Sequence, residues 1–481
     1  MKDAAWTWIE DNKERLIEIS DKIWGYAELG LVEEKSAKLL ADELESHGFN
    51  VERGVGDMPT AFYGVWGSGE PVIGVMGEYD ALPGISNKAV PRKEPLKEGA
   101  PGHGCGHNIH GVSGLAAAIA LRYALEERGV RATVKFYGTP AEENYDGKVF
   151  MARTGIFDDV DACLSHHPGS VNTAGLGSST AMNSVKFHFH GKTSHAASSP
   201  EQGRSSLDAV ELMNIGVNYL REHVIEKARI HYVIEEGGGQ PNVVPDYART
   251  WYYVRAPERD QVDHIYEWVC RIAEGASLMT GTRLEVDFLG GIYNKVPSKV
   301  LSEVVIANMR EIGAPNYTEE ELEFARKIGE TVPRQQKIDA LRKSEYPEWE
   351  KYVDVDLVTD ILDPWNEGKT SGGSTDGSDI SWKTPTMEFS TTAFVLGTPG
   401  HSWQTVACSG MTIGHKSLIF AAKTISGSAL DLIADSSLIE KAKEEHKGRL
   451  KGQTYKSPIP DELGPALKAA REAAERLGGG E

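Results

Sequence analysis

The chain has 481 residues, 40% apolar and 25% charged, near the average for a globular protein. It is long enough to bury a core without disulfide staples. Acidic residues outnumber basic ones by 71 to 51, giving a net charge of −20. That balance argues against nucleic acid, which asks for a basic face, and against an anionic membrane surface. No window of about 18 apolar residues stands out, so no membrane-spanning helix is expected. The start, MKDAAWTWIEDNKERL, is charged and does not read as a signal peptide. Cys105, Cys163, Cys270 and Cys408 are too few for a disulfide framework, so the expectation is a reduced, cytoplasmic protein.

In chain order, residues 6–30 and 34–48 read as helices, and the apolar run 72–79 as a buried strand. Residues 111–129 read as a helix against a sheet, with strands at 132–138 and 161–166. Strands alternating with helices predict an α/β unit with a mostly parallel sheet and helices on both faces. The pattern then changes. Strand 181–191, helix 203–226, strands 229–236 and 247–256, helix 259–280 and strand 282–289 follow in the order βαββαβ. That order is ferredoxin-like and predicts an inserted α+β domain over 181–296, between catalytic parts 1–180 and 297–481. Residues 317–352 read as charged surface helices, 386–396 as short strands and 413–435 as a helix. The charged tail 437–481 reads as peripheral.

The densest chemistry lies in GHGCGHNIHG, residues 102–111. Cys105 and His107, one residue apart and framed by glycines, offer a thiolate and an imidazole to a transition metal. Glu142 and Glu143 follow strand 132–138, in a loop where open α/β sheets place their sites. On extended chain they would point opposite ways, one toward a metal and one toward a water; a solvated acidic pair is the bland alternative. Glu78 and Asp80 share one strand face. Asp80 is placed to fix the tautomer of a ligand histidine, or else to cap a turn. His166 or His167, and the distant His401, are further candidates, each unremarkable alone. In the inserted unit, KTSHAASSPEQG carries His195, while Asn242 and Arg255 flank a strand, and Arg255 has the planar fork that grips a carboxylate.

The order of these residues resembles the M20 family of metallopeptidases and amidohydrolases. GEYDALPG, PGHGCGHN, GTPAEE, SHHPG and GTPGHSWQ are similar to its successive motifs, and GKTSHAA and GGGQPNVVPD to pieces of its lid domain. The resemblance spans roughly residues 10–435. It is nearest the subgroup that holds the B-type chains of para-aminobenzoyl-glutamate hydrolase, in the branch where a cysteine replaces a bridging aspartate. It implies a zinc-peptidase-like sheet with an inserted ferredoxin-like lid and dimerisation domain. By resemblance, Cys105, His107, Glu143, His167 and His401 are ligands of one or two divalent ions, zinc or manganese. Glu142 is the general base and Asp80 orients a ligand. His195 reaches the scissile carbonyl, often from a partner chain, and Asn242 and Arg255 hold the substrate carboxylate. His167 is preferred over His166 because the subgroup places its histidine directly before Pro-Gly. Two departures stand out: Asn108 and Glu78 occupy positions where the branch more often carries aspartate.

The expected activity is hydrolysis of the amide bond of an N-acyl or N-aroyl amino acid. The expected assembly is a homodimer, or a hetero-oligomer with a paralogous chain. The rivals are a dipeptidase or aminoacylase, and a metal-binding chain that supports a paralogous hydrolase. A pure binder would have no use for a base at Glu142.

Overall fold

The structure, a computed structural model, describes residues 1–477; the end of the predicted peripheral tail, 478–481, lies outside the described residues. Its strands, in chain order, are β1 (Asn50–Arg53), β2 (Phe62–Gly67), β3 (Val72–Glu78), β4 (Thr133–Thr139), β5 (Ala162–Gly169) and β6 (Asn172–Thr173). There follow β7 (Ala181–His190), β8 (Arg229–Glu236), β9 (Tyr247–Ala256), β10 (Arg283–Ile292), β11 (Ile361–Leu362) and β12 (Thr386–Thr392). The larger sheet has the order β1-β2-β4-β3-β5-β12-β6-β11. Its centre, β4-β3-β5-β12, is parallel. The strands β1 and β2 extend one edge in antiparallel fashion.

β3 and β4 are buried almost throughout, as expected where helices cover both faces of a parallel sheet. Helix His107–Arg128 lies across β3, and two glycines set the distance. A Cβ at Gly111 would come within 2.5 Å of the Glu78 carbonyl oxygen, and one at Gly114 within 2.6 Å of that of Met76. The helix can sit on the strand only because these positions lack side chains. It begins at His107, four residues earlier than the apolar pattern suggests, and ends at the left-handed Gly129.

The smaller sheet has the order β10-β7-β9-β8, antiparallel at every pair. Within the insert this is 4-1-3-2, the ferredoxin-like arrangement. Every second residue of β9 is buried. Phe187, Phe189, Tyr252 and Val254 form a core of their own with helices Ser206–Leu220 and Arg259–Thr280.

Several expectations are corrected. The single helix over 6–30 is two, Lys2–Asp11 and Lys13–Tyr26. They break at Asn12, whose side-chain amide donates to the Trp8 carbonyl at 2.8 Å and competes with the helix. The helix over 203–226 ends at Leu220, and the strand over 386–396 ends at Thr392. Helix Thr412–Ala434 is long and apolar enough to cross a membrane, contrary to expectation, but most of that stretch is buried inside the protein. Its hydroxyls hide their polarity locally: Thr424 and Ser426 donate to the carbonyls of Phe420 and Lys423 at 2.8 and 3.1 Å.

Nor is the tail peripheral. Ile439, Ala442, Ile459 and Ala470 are buried. Glu445 accepts the Lys299 and Val300 N–H groups at 2.9 and 3.1 Å, capping helix Lys299–Ile312. The Arg153 guanidinium donates to the carbonyls of Pro460, Asp461 and Leu463 at 3.0, 3.4 and 2.9 Å. Arg153→Ala should therefore cost about 1.5 kcal/mol, the low end for bonds to a charged group. Thermal unfolding would measure it, and limited proteolysis should cut first between residues 451 and 466.

Candidate active site

The carboxyl ends of β3, β4, β5 and β12 converge on one place, as parallel strands in one sheet require. β3 delivers Glu78 and, just beyond, Asp80; β5 delivers His167; the loops after β4 and β12 deliver Glu142, Glu143 and His401. Cys105 and His107 come from the turn that opens helix His107–Arg128.

Asp80 anchors the arrangement. One of its oxygens accepts from His107 Nδ1 at 2.8 Å, and the other accepts the Glu143 backbone N–H at 2.9 Å. Nδ1 then carries the proton and Nε2 a lone pair, the tautomer a metal ligand needs. Glu142 and Glu143 do not lie on extended chain as expected. They open a helical turn, Glu142–Tyr145, because Ala141 is left-handed at φ 62°. That conformation costs a non-glycine residue about 1 kcal/mol. It is supported by the buried Glu33, which accepts the Ala141 N–H at 2.8 Å, and by Gly30, where a Cβ would stand 2.9 Å from the Ala141 Cα.

Cys105, His107 and His167 bring their ligand atoms together, as do Cys105, Glu143 and His401, and His107, Glu142 and Glu143. His401 Nε2 is 3.6 Å from Glu143 and His107 Nε2 is 3.9 Å from it. The space is crowded with acid. Burial, then the charges of Glu78 and Asp376, push the Glu142 carboxyl well above its ordinary range. Burial raises Glu143 to about 7 against the pull of His107, and raises the Cys105 thiol, with Glu143 adding to it. Glu78 Oε2, His107 Nε2 and Glu143 Oε1 are all buried without a hydrogen-bond partner. Uncompensated negative charge and orphaned lone pairs around sulfur, nitrogen and oxygen donors fit a divalent cation.

The site opens into a cavity of about 1230 Å³ lined by Cys105, Glu142, Glu143, His167, His401 and, from the smaller sheet, Arg255. Arg255 donates to the Ser374 hydroxyl at 3.3 Å and lies over the Tyr253 ring. It makes no ion pair among the described residues, and its Nε is buried and unpaired.

The profile of peptidase family M20/M25/M40 matches residues 74–409. Over 471 residues the chain is 40% identical to the B-type chain of the p-aminobenzoyl-glutamate hydrolase of Escherichia coli, covering 95% of this chain and 97% of that one. The chain belongs to the M20 peptidase family. It is also 27% identical to the Xaa-Arg dipeptidase of Mus musculus, over 94% of this chain and 93% of that one. Among solved structures, a putative aminohydrolase from methicillin-resistant Staphylococcus aureus superposes with TM-score 0.62 at 19% identity, covering 90% and 100% of the two chains. A dinuclear metal binding peptidase from the M20 family, of Bacillus subtilis, does so with TM-score 0.56 at 18% identity, over 88% and 99%. As an M20 protein with these relatives, the chain is a hydrolase of amide bonds.

Two expected site residues stand apart from this M20 cavity. His195 is exposed, its Nδ1 accepting the N–H groups of Ala197 and Ser198, each at 3.2 Å. Asn242 is exposed nearby, its carbonyl accepting from Ala196 at 2.9 Å. Neither lines the cavity of its own chain. In the other direction, sequence reasoning misses Lys148 and Asp376. Lys148 is buried and its ammonium lies 2.6 Å from Glu78 and 2.7 Å from Asp376. A lysine leading into the apolar run 149–152, a few residues after Glu142-Glu143, is the available signal.

The neighbouring histidines separate by their partners. His166 contacts Ser113 through Nδ1 at 3.1 Å and Thr391 through Nε2 at 2.8 Å. His167 uses Nδ1 on the Pro168 carbonyl at 2.9 Å, leaving Nε2 for the cluster. His167→Gln should therefore lower the zinc retained after loading and dialysis, read by elemental analysis. His166→Gln should keep the zinc and lose about 1–3 kcal/mol of stability from broken buried hydrogen bonds.

Proposed function

We propose that this M20 chain is a metal-dependent amidohydrolase. Its substrate is an N-acyl or N-aroyl amino acid with a free carboxylate. The observation that carries the reading is one cavity holding both the clustered donors and an unpaired Arg255. Cys105, His107, Glu143, His167 and His401 would hold one or two divalent ions, zinc or manganese. A bound ion of this kind supplies Lewis acidity and lowers the pKa of water toward neutrality. Glu142 stands beside the donor Glu143 without being needed as a ligand, so it is the base that takes the water's proton and returns it to the leaving amine. Arg255 fixes the substrate carboxylate by a charge-assisted fork and so orients the amide. The relatives' names favour an aroyl-glutamate or a dipeptide as substrate. The rival reading, a binding chain without chemistry, leaves Glu142 unexplained. Four free cysteines agree with a cytoplasmic setting.

Glu142→Gln should retain metal and lose about 10²–10⁴-fold in turnover of a p-aminobenzoyl or other N-acyl glutamate. Loss of metal in that variant would show that the two glutamates have exchanged roles.

His195 and Asn242 enter this reading through a second chain. The smaller sheet exposes Tyr219, Leu278 and Met279 on its helices and Val233 and Ile234 on its edge strand β8. Such faces and edges are suited to pairing. A two-fold pair would exchange His195 reciprocally between sites. The pair is a homodimer, or joins this chain to a paralogue; the E. coli hydrolase named above has both an A-type and a B-type chain. Mixing His195→Ala with Glu142→Gln under exchange of chains should restore activity at about a quarter of all sites. Activity that stays at the level of the separate variants, with exchange confirmed by mass, would mean that His195 acts within its own chain or has no catalytic role.

A further inference from the structure

We propose that Glu78 is an additional ligand of the metal centre, its carboxylate held in place by Lys148 and Asp376. The inference rests on the metal-dependent reading above and extends its ligand set.

The two oxygens of Glu78 have different surroundings. Oε1 receives the Lys148 ammonium at 2.6 Å. That ammonium is held in turn by Asp376 Oδ1 at 2.7 Å, while Asp376 Oδ2 accepts the Lys148 backbone N–H at 2.8 Å. All three side chains are buried. One oxygen is thus committed to a rigid, paired network. The other, Oε2, has no hydrogen-bond partner although it lies 3.0 Å from His107 Nε2.

That proximity without a hydrogen bond is the informative feature. His107 gives its Nδ1 proton to Asp80 at 2.8 Å, so in the neutral ring Nε2 is a lone pair. A lone pair facing a carboxylate oxygen at this separation is repulsive unless positive charge lies between them, a proton on Nε2 or a metal ion. Two donors about 3 Å apart, both orphaned and both buried, are placed as neighbours around one cation. Glu143 Oε1, the third orphaned atom, is 3.9 Å from the same nitrogen.

The alternative grouping, Glu78 with His110 and Glu388, does not make a separate site. His110 Nδ1 accepts the Glu78 backbone N–H at 2.8 Å, so its Nε2 carries the proton and cannot ligate. Glu388 is turned to Lys295 at 3.5 Å. The glutamate itself is one of the chain's departures from the commoner aspartate. Its extra methylene gives the reach that brings Oε2 beside His107 while Oε1 stays on Lys148.

The test compares apo-protein of wild type, Glu78→Gln, Glu78→Asp and Glu143→Gln. Zinc affinity is measured by competition with a chromogenic chelator, stoichiometry by elemental analysis, and ligand geometry by the visible absorption of the cobalt form. Glu78→Gln should weaken one zinc site by more than about 100-fold, beyond the 10–100-fold that an outer partner costs. Glu78→Asp keeps the charge opposite Lys148 but withdraws the oxygen; it should weaken the site at least about 10-fold and alter the cobalt spectrum. Should Glu78→Gln not fold, as judged by circular dichroism, the aspartate variant decides alone. Wild-type affinity and an unchanged cobalt spectrum in the Glu78 variants overturn the proposal. If Glu143→Gln loses zinc while they do not, only this inference falls. If Glu143→Gln also binds as wild type, the metal-dependent reading falls with it.

Discussion

Everything at this site depends on how closely helix His107–Arg128 sits on β3. Gly111 and Gly114 bring the helix down onto the strand's carbonyls. That seating places the His107 ring between Glu78 and Asp80, at 3.0 and 2.8 Å. A side chain at either glycine would lift the first turn of the helix and draw the imidazole away from both carboxylates. The close contact also excludes water, which makes each nearby charge expensive to leave unbalanced. Lys148 offsets part of that cost for Glu78 and Asp376, and the donor cluster is left with the remainder.

The topology then explains why residues so far apart in sequence meet. Four adjacent parallel strands must end on the same side, so each contributes its last residue or following loop to a common rim. The chain needs no long-range coincidence to gather Glu78, Glu143, His167 and His401; it needs only the parallel order β4-β3-β5-β12. The tail braces this rim from outside. It does so through Arg153, in the helix that follows the Glu142–Tyr145 turn.

Much of the site is legible in the sequence because its residue types are poor packing choices. A glycine-framed Cys-x-His and a Glu-Glu pair after a strand have little use in a core. Spacing does not resolve His166 from His167. Neighbours on a strand face opposite sides, and only the partners Ser113 and Thr391 reveal that His166 faces the helix side. The turn at Glu142 is hidden because a left-handed alanine carries no sequence signal; it is held by Glu33, more than a hundred residues earlier. The short strand β1 lacks an apolar run and three of its four residues are exposed, which hides it; the apolar run of β2 is short and interrupted by Gly64. Lys148 and Asp376 are 228 residues apart, so only the fold makes them a pair.

The smaller sheet divides its residues by the same alternation that shapes its core. On β9, Tyr252, Val254 and Ala256 face the helices, while Tyr253 and Arg255 face the cavity. Cross-strand pairing sets Arg255 opposite Met182, and Met182 opposite Ile292, so one row of the sheet forms a wall of the cavity. Ser374 ties that row to the catalytic part, accepting from Arg255 and donating to the Thr180 carbonyl at 2.9 Å. His195 and Asn242 belong to loops beyond the ends of these strands, where no register brings them to the same row. One sheet therefore supplies its own cavity with a fixed cation. Two other residues of the insert, His195 and Asn242, stay at the surface, away from the cavity of their own chain.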